Sequence, residues 1–285
     1  MSAPVQPATS DAERVAIGIA AARRTRRLGW WYVAEQRIRA MRSYVGTWIG
    51  LGLASPFLYV AGLGFGLAIV VNDAQGGQDV GGADFLLFLA PALVLGSAMQ
   101  TAAQESTYGV FGGFRWVPIF LAMRSSPVSP AQMVVGYTIG TLVRVMPAAV
   151  VYVAAIWILG VTGSSRALWL VPIALLLVLA VALPVTAWAA HQEHDRGQLN
   201  VIDRFVTLPL MLFSGTYFPL ETLPIALQWI GWISPLWHAV DLGRWALYGA
   251  EVPAWLLATH VAVLVGFATV GLLAAVRVFR RRLDL

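Results

Sequence analysis

Cysteine and lysine are both missing from the 285-residue chain, and charged residues make up only 12% of it. Without cysteine there is no disulfide framework, no thiolate metal site, no catalytic thiol and no redox clue to compartment. Without lysine, all 19 basic residues are arginine, and a standard nucleotide-binding P-loop is excluded because its lysine must reach the terminal phosphates. Any ATP hydrolysis linked to this chain therefore belongs to a partner. What remains is 59% hydrophobic, with a mean hydropathy of +0.73, the composition of a chain whose main solvent is lipid.

The arginines flank apolar segments. A pI near 10 is thus a topology signal, and nucleic acid is not expected as a partner. Residues 1–27 read as a flexible cytoplasmic tail. Their short apolar run Val15–Ala22 precedes Arg23-Arg24-Thr25-Arg26-Arg27, the reverse of a secretory signal. Residues 28–43 carry Trp31, Ala34, Ile38 and Met41 at helical spacing, a stripe that Val45 continues, with Glu35, Gln36, Arg37, Arg39 and Arg42 between them. This is the pattern of an amphipathic interfacial helix, with Trp30 and Trp31 at headgroup depth, or of a solvated helix packing on its own protein.

A crossing needs about 20 apolar residues. Tyr44–Val71, Phe85–Gln104, Ala131–Gly160, Leu168–Ala190 and Ala254–Val276 meet that, and Val201–Phe218 is weakened by Asp203 and Arg204 at its start. Arginine-rich ends at both extremes of the chain call for the same, cytoplasmic, side, so the number of crossings must be even, and six is expected. With that topology the inner segments hold sixteen arginines against eight acids, and the outer loops two against six. Arg144 is left alone in the membrane, where it either receives an anionic or sugar headgroup or pairs with an acid or carbonyls of another helix.

Between crossings, Glu105–Pro130 places Val110, Phe114, Val117 and Leu121 at helical spacing, and its apolar run Trp116–Met123 is too short to cross. It reads as an interfacial cytoplasmic helix. Residues 219–250 are rich in tryptophan and broken by Pro219, Pro224 and Pro235. They read as two re-entrant or interfacial helices capping the outer side.

Two segments carry a family resemblance. Glu105-Ser106-Thr107-Tyr108-Gly109-Val110-Phe111-Gly112-Gly113-Phe114-Arg115-Trp116, with Ala122-Met123-Arg124-Ser125-Ser126-Pro127-Val128-Ser129-Pro130, resembles the cytoplasmic loop of ABC-2 type permeases. The similarity is greatest to the nodulation lipo-chitooligosaccharide exporter and daunorubicin-resistance permease group. Phe213-Ser214-Gly215-Thr216-Tyr217-Phe218-Pro219, with Ser234-Pro235-Leu236-Trp237-His238-Ala239-Val240-Asp241-Leu242-Gly243-Arg244, is similar to that group's signature near the last two crossings. The long arginine-rich stretch before Leu28 departs from the pattern.

The resemblance implies an all-α exporter subunit of six helices in the bacterial inner membrane, with both termini cytoplasmic. Two such subunits, identical or related, form a path for a lipid-like, glycolipid or amphipathic drug molecule. Two separate ATPase subunits supply ATP and Mg2+, and this chain holds no cofactor, metal or catalytic residue of its own. The ATPase contact is expected at Glu105, Ser106, Thr107, Tyr108, Arg115 and Trp116, with solvated interface charges as the plainer reading of Glu105 and Arg115. Arg144, Phe213, Ser214 and Tyr217 are expected along the substrate path. Phe218, Trp229, Trp232, Trp237, His238, Asp241 and Arg244 are expected in an outer cap or gate, for which plain interfacial anchoring is the alternative.

Other features read more blandly. His191, Glu193, His194 and Asp195 lack zincin spacing and form either a solvated turn that helps seat the ATPase or a metal site. Gly76-Gly77-Gln78 lacks the context of an ATPase signature. Gly46/Gly50, Gly62/Gly66 and Gly136/Gly140 permit close helix approach. A lipid-modifying membrane enzyme would need clustered acids or histidines at one membrane face, which only the His191–Asp195 turn approaches. A secondary transporter would show paired broken helices and midplane acids, and neither is evident.

Overall fold

The computed structural model describes residues 11–44 and 84–284, with a few isolated positions between them. The expected first crossing, Tyr44–Val71, falls largely outside the described residues, as do Gly76-Gly77-Gln78 and most of the Gly46/Gly50 and Gly62/Gly66 region. Among the described residues every regular element is helical.

The chain begins with α1 (Asp11–Met41), so residues 11–27, expected as a flexible tail, continue one helix with the amphipathic segment. Next come α2 (Phe85–Arg115), the short α3 (Ile119–Met123) and α4 (Pro130–Ile158). A 3-10 turn at Ser165–Trp169 leads into α5 (Leu170–His191). Then α6 (Leu199–Val201) passes through a π-helical turn, Ile202–Thr207, into α7 (Leu208–Phe213). The remaining helices are α8 (Ile225–Ile233), α9 (Pro235–Tyr248) and α10 (Ala254–Leu283).

Four stretches among the described residues are long and apolar enough to span a bilayer: Phe85–Arg115, Pro130–Ile158, Ser165–His191 and Ala254–Leu283. At a rise of 1.5 Å per residue, α2 is roughly 46 Å long against a hydrocarbon core of about 30 Å. It therefore projects beyond the apolar layer. The segment from Glu105 to Arg115, expected as part of a separate interfacial helix, is the rigid continuation of this crossing.

Local chemistry sets the helix ends. Ser129 and Gln132 form a reciprocal capping box at the start of α4, with Pro130 in the first turn. The amide of Gln132 also donates to Arg26 O at 2.7 Å, which ties that cap to α1. Ser234 caps α9 by accepting from Leu236 N at 3.2 Å, and Gly249 ends it at φ +78°, a left-handed conformation that costs glycine little.

The wide turn at Ile202–Thr207 has a cause in the residues just after it. Pro209 has no N–H to donate one turn back, and Leu208 N bonds instead to Asp203 O, five residues earlier.

Packing divides into two apolar clusters. One, at the level of the spanning helices, gathers buried side chains of α2, α4, α5 and α9, among them Phe88, Leu95, Tyr152, Leu177 and Leu236. The other lies at the arginine-rich end, where Phe114 of α2, Phe120 of α3 and Phe279 of α10 meet with ring centroids 4.8–5.0 Å apart. Helix α2 is the most buried of the four spans, and α10 leaves Val261, Val265, Val270 and Leu273 exposed, as a lipid-facing helix does.

Candidate functional site

Toward the arginine-rich end, the spanning bundle is organised by one carboxylate. Glu105, on α2, receives Arg37 of α1 (Nη2 to Oε2, 2.9 Å) and Arg144 of α4 (Nε to Oε1, 2.7 Å). The Arg37 guanidinium also lies 3.9 Å from the centroid of the Tyr137 ring, and the Tyr137 hydroxyl donates to Glu105 O at 2.7 Å. Three helices are thus joined through partly buried charges. Glycine makes the approach possible, since a Cβ at Gly136 would collide with the Trp30 carbonyl and Val33, and one at Gly140 with the Arg37 stem. Helix α1 packs on its own protein through Val33 and Ala34, while Trp31 of the expected apolar stripe is exposed.

The six residues expected at the ATPase contact are therefore divided by the fold. Ser106 and Thr107 are fully enclosed, and Glu105 is engaged with the two arginines. Tyr108, Arg115 and Trp116 are exposed on the projecting end of α2, and Val117 and Leu121 extend the exposed surface. Tyr108 donates to Asn200 Oδ1 at 3.0 Å, a link from α2 to α6. The His191–Asp195 turn is held by Arg282, whose Nη1 donates to Gln192 O at 2.9 Å.

Between α2, α4 and the α6–α7 segment lies a cavity of about 250 Å³. Its polar end holds Asp203, Thr207, Gln100 and Ser97; its other end is walled by Leu93, Leu208, Met211 and Leu212 and bordered by Tyr152, Thr216 and Tyr217. The π-helical turn places Asp203 here, where its Oδ1 is shielded from solvent and has no hydrogen-bond partner among the described residues. Of the residues expected on the substrate path, only Tyr217 lines this cavity. Arg144 is paired with Glu105, and Ser214 is buried with its hydroxyl 2.6 Å from that of Ser234.

At the end away from the arginine-rich side, residues expected to form a cap are brought together by contacts that join α9 to its neighbours. Arg244 is buried, with Nη2 donating to Gly215 O at 2.7 Å and its guanidinium 3.6 Å from the centroid of the Phe88 ring. Gly215 sits at φ +65°, which turns its carbonyl toward that arginine. Burial pushes the guanidinium down to about 10, still charged at neutral pH.

His238 and Asp241 share a partner that sequence reasoning missed, His260 of α10. His238 Nε2 lies 3.0 Å from Trp232 O, His238 Nδ1 2.7 Å from His260 Nδ1, and His260 Nε2 3.0 Å from Asp241 Oδ2. A carbonyl only accepts, so His238 Nε2 carries the hydrogen. Burial holds His238 down to about 4, hence neutral, so its Nδ1 accepts from His260 Nδ1. Trp237 covers both imidazoles at ring distances of 4.9 and 5.0 Å. Trp229 and Trp232 point outward, and Phe218 is half-buried.

The sequence profile of ABC-2 type transporters matches residues 29–248. The chain belongs to the ABC-2 type transporter family. Its relatives include Nodulation protein J of Rhizobium leguminosarum bv. viciae, 29% identical over 90% of this chain and 95% of that protein. Nodulation protein J of Rhizobium leguminosarum bv. trifolii is 30% identical over 81% and 85% of the two chains, and that of Rhizobium meliloti 28% identical over 90% and 95%. This ABC-2 permease is accordingly a multi-pass membrane transport subunit that works with an ABC ATPase subunit.

In an ABC-2 permease the geometry has a consistent division of labour. A rigid projection of α2 faces the arginine-rich side, a cavity lies along the same helix, and a cross-linked cluster of α9 and α10 side chains lies toward the other end. Asp203, Arg37 and His260 were each legible as ionisable residues in or beside apolar helices, a standing signal of function or of specific pairing.

Proposed function

We propose that this permease exports an amphipathic molecule, lipid-like, glycolipid or drug-like, with the cavity between α2, α4 and α6–α7 as part of its route. The observation that carries the reading is the form of that cavity. Asp203, Thr207, Gln100 and Ser97 collect at the end nearer the arginine-rich side, and the remainder is mainly apolar, walled by Leu93, Leu208, Met211 and Leu212 with Tyr152, Thr216 and Tyr217 at its border. A molecule with a polar head and an apolar tail can lie along it without burying an unmatched group.

The working unit is two permease subunits with two ATPase subunits on the cytoplasmic side, each permease crossing the membrane six times with both termini inside. Tyr44–Val71 and Val201–Phe218 supply the crossings beyond the four long apolar spans, and the even count keeps both arginine-rich ends in the cytoplasm. ATP and Mg2+ act in the partner; this chain converts the partner's motion into movement of helices.

Exposed Tyr108, Arg115 and Trp116 form the ATPase contact. They stand on the same continuous helix as Ser97 and Gln100 of the cavity. A displacement at that contact reaches the cavity through a stiff rod whose inner end is anchored by the Phe114–Phe120–Phe279 cluster. Vesicles containing the permease and its cognate ATPase test this. Arg115→Glu is expected to leave basal ATP hydrolysis near the wild-type rate and to abolish both its stimulation by substrate and transport. Normal substrate-stimulated hydrolysis in that variant would refute the assignment.

A further inference from the structure

Among the described residues, one formal charge lines the cavity and no counter-charge answers it. Among the described residues that line it, Asp203 is the sole ionisable group apart from the phenols Tyr152 and Tyr217. Its Oδ1 is closed off from solvent without a partner. In the sequence, no arginine, lysine or histidine occurs between Arg42 and Arg115.

The nearby arginines are also accounted for. Arg144 and Arg37 converge on Glu105. Arg204, the next residue along, is exposed and does not line the cavity.

Asp203 is half-buried, its shielded Oδ1 has lost hydration without gaining a donor among the described residues, and a hydroxyl donor alone would leave the carboxylate's charge uncompensated. A cation supplied by the ligand removes both deficits. Tyr152 and Tyr217 border the same cavity, and an aromatic ring face attracts a cation. Anionic headgroups are repelled at the same point.

We infer that Asp203 makes this cavity selective for an amphiphile bearing a protonated amine, with the ammonium at Asp203 and the apolar chain along Leu93, Leu208 and Leu212. The inference rests on the reading of the cavity as part of the substrate route and adds the charge class of the headgroup to it.

The test is binding of tritiated dodecylamine to the full-length permease in nanodiscs of zwitterionic lipid. Saturable binding is expected, displaced by unlabelled dodecylamine but not by equal concentrations of dodecyl glucoside or dodecyl sulfate. Asp203→Asn, nearly isosteric, is expected to weaken it roughly 10- to 100-fold, the range for a hydrogen bond to a charged group. Asp203→Glu, which keeps the charge, is expected to stay within a few-fold of wild type.

Leu212→Trp, on the exposed side of the wall, narrows the cavity without altering charge and is expected to abolish binding. Loss in Leu212→Trp with wild-type binding in Asp203→Asn leaves the route standing and overturns the charge inference. Loss in Asp203→Asn with retention in Leu212→Trp supports the carboxylate as the cation's ligand and counts against the cavity as the route. Retention in both, or no saturable binding to the wild type, overturns both. Equal displacement by either competitor overturns the charge inference.

Discussion

Replacing Glu105 with Gln keeps the shape of the side chain and removes the charge that Arg37 and Arg144 share. Both guanidiniums, at 2.9 and 2.7 Å from the carboxylate, are then left facing each other across a neutral amide. Breaking a fully buried ion pair costs about 3–5 kcal/mol, and an exposed one about 0–1. The three side chains are 17%, 20% and 33% exposed, between those limits, so a loss of roughly 2–3 kcal/mol is expected for the two contacts together. For a chain of this size that lowers an apparent melting temperature by about 5–10 °C.

The assay is thermal unfolding in nanodiscs, followed by size-exclusion chromatography, for Glu105→Gln, Arg144→Leu and the double variant. Because the damage in Glu105→Gln is mutual repulsion of two uncompensated cations, removing one of them restores part of the stability. The double variant is therefore expected to melt above Glu105→Gln. Additive losses, or a Glu105→Gln protein that melts within about 1 °C of wild type, would refute the shared-carboxylate argument.

Two further outcomes follow from the packing and the outer network. Gly136→Ala drives a methyl group into the Trp30 carbonyl, an overpacking cost of about 1–3 kcal/mol, and is expected to loosen α1. Faster trypsin cleavage within Arg23–Arg27 than in the wild type checks it, and an unchanged rate contradicts it. His238, held down from 6.5 to about 4 by burial, binds its proton in the unfolded chain before it does so in the folded one. Stability is therefore full above about pH 6.5 and is lost as pH falls toward 4, by roughly 1.4 kcal/mol per pH unit at most. His238→Gln is expected to flatten the slope of unfolding free energy in that window, and an unchanged slope would remove His238 as its source.

How much was legible beforehand varies by element. The long spans α2, α4, α5 and α10 follow from apolar runs, which need no tertiary information because backbone groups in lipid must bond within their own helix. Pro235 and the spacing of His238, Asp241 and Arg244 marked one helix and one face of it, as α9 shows, but not the partners of that face. His260 lies 22 residues beyond His238, and nothing local couples the two. The set expected at the ATPase contact is divided by the fold. Its motif located the end of α2, yet Ser106 and Thr107 turn inward while Tyr108 and Arg115 turn out, a distinction decided by which neighbours pack against each face.

Composition determined the solvent of this protein, and the absence of lysine and the placement of arginine set the expectations for where its ends lie and where its energy comes from. These follow from transfer energies and charge asymmetry, which are properties of segments read one at a time. Tertiary structure alone decided which charges meet. Arg144 finds Glu105, 39 residues away in sequence, while Asp203 finds no protein partner among the described residues. A charge in a low-dielectric interior is governed by its neighbours within a few ångströms, and those neighbours come from other helices.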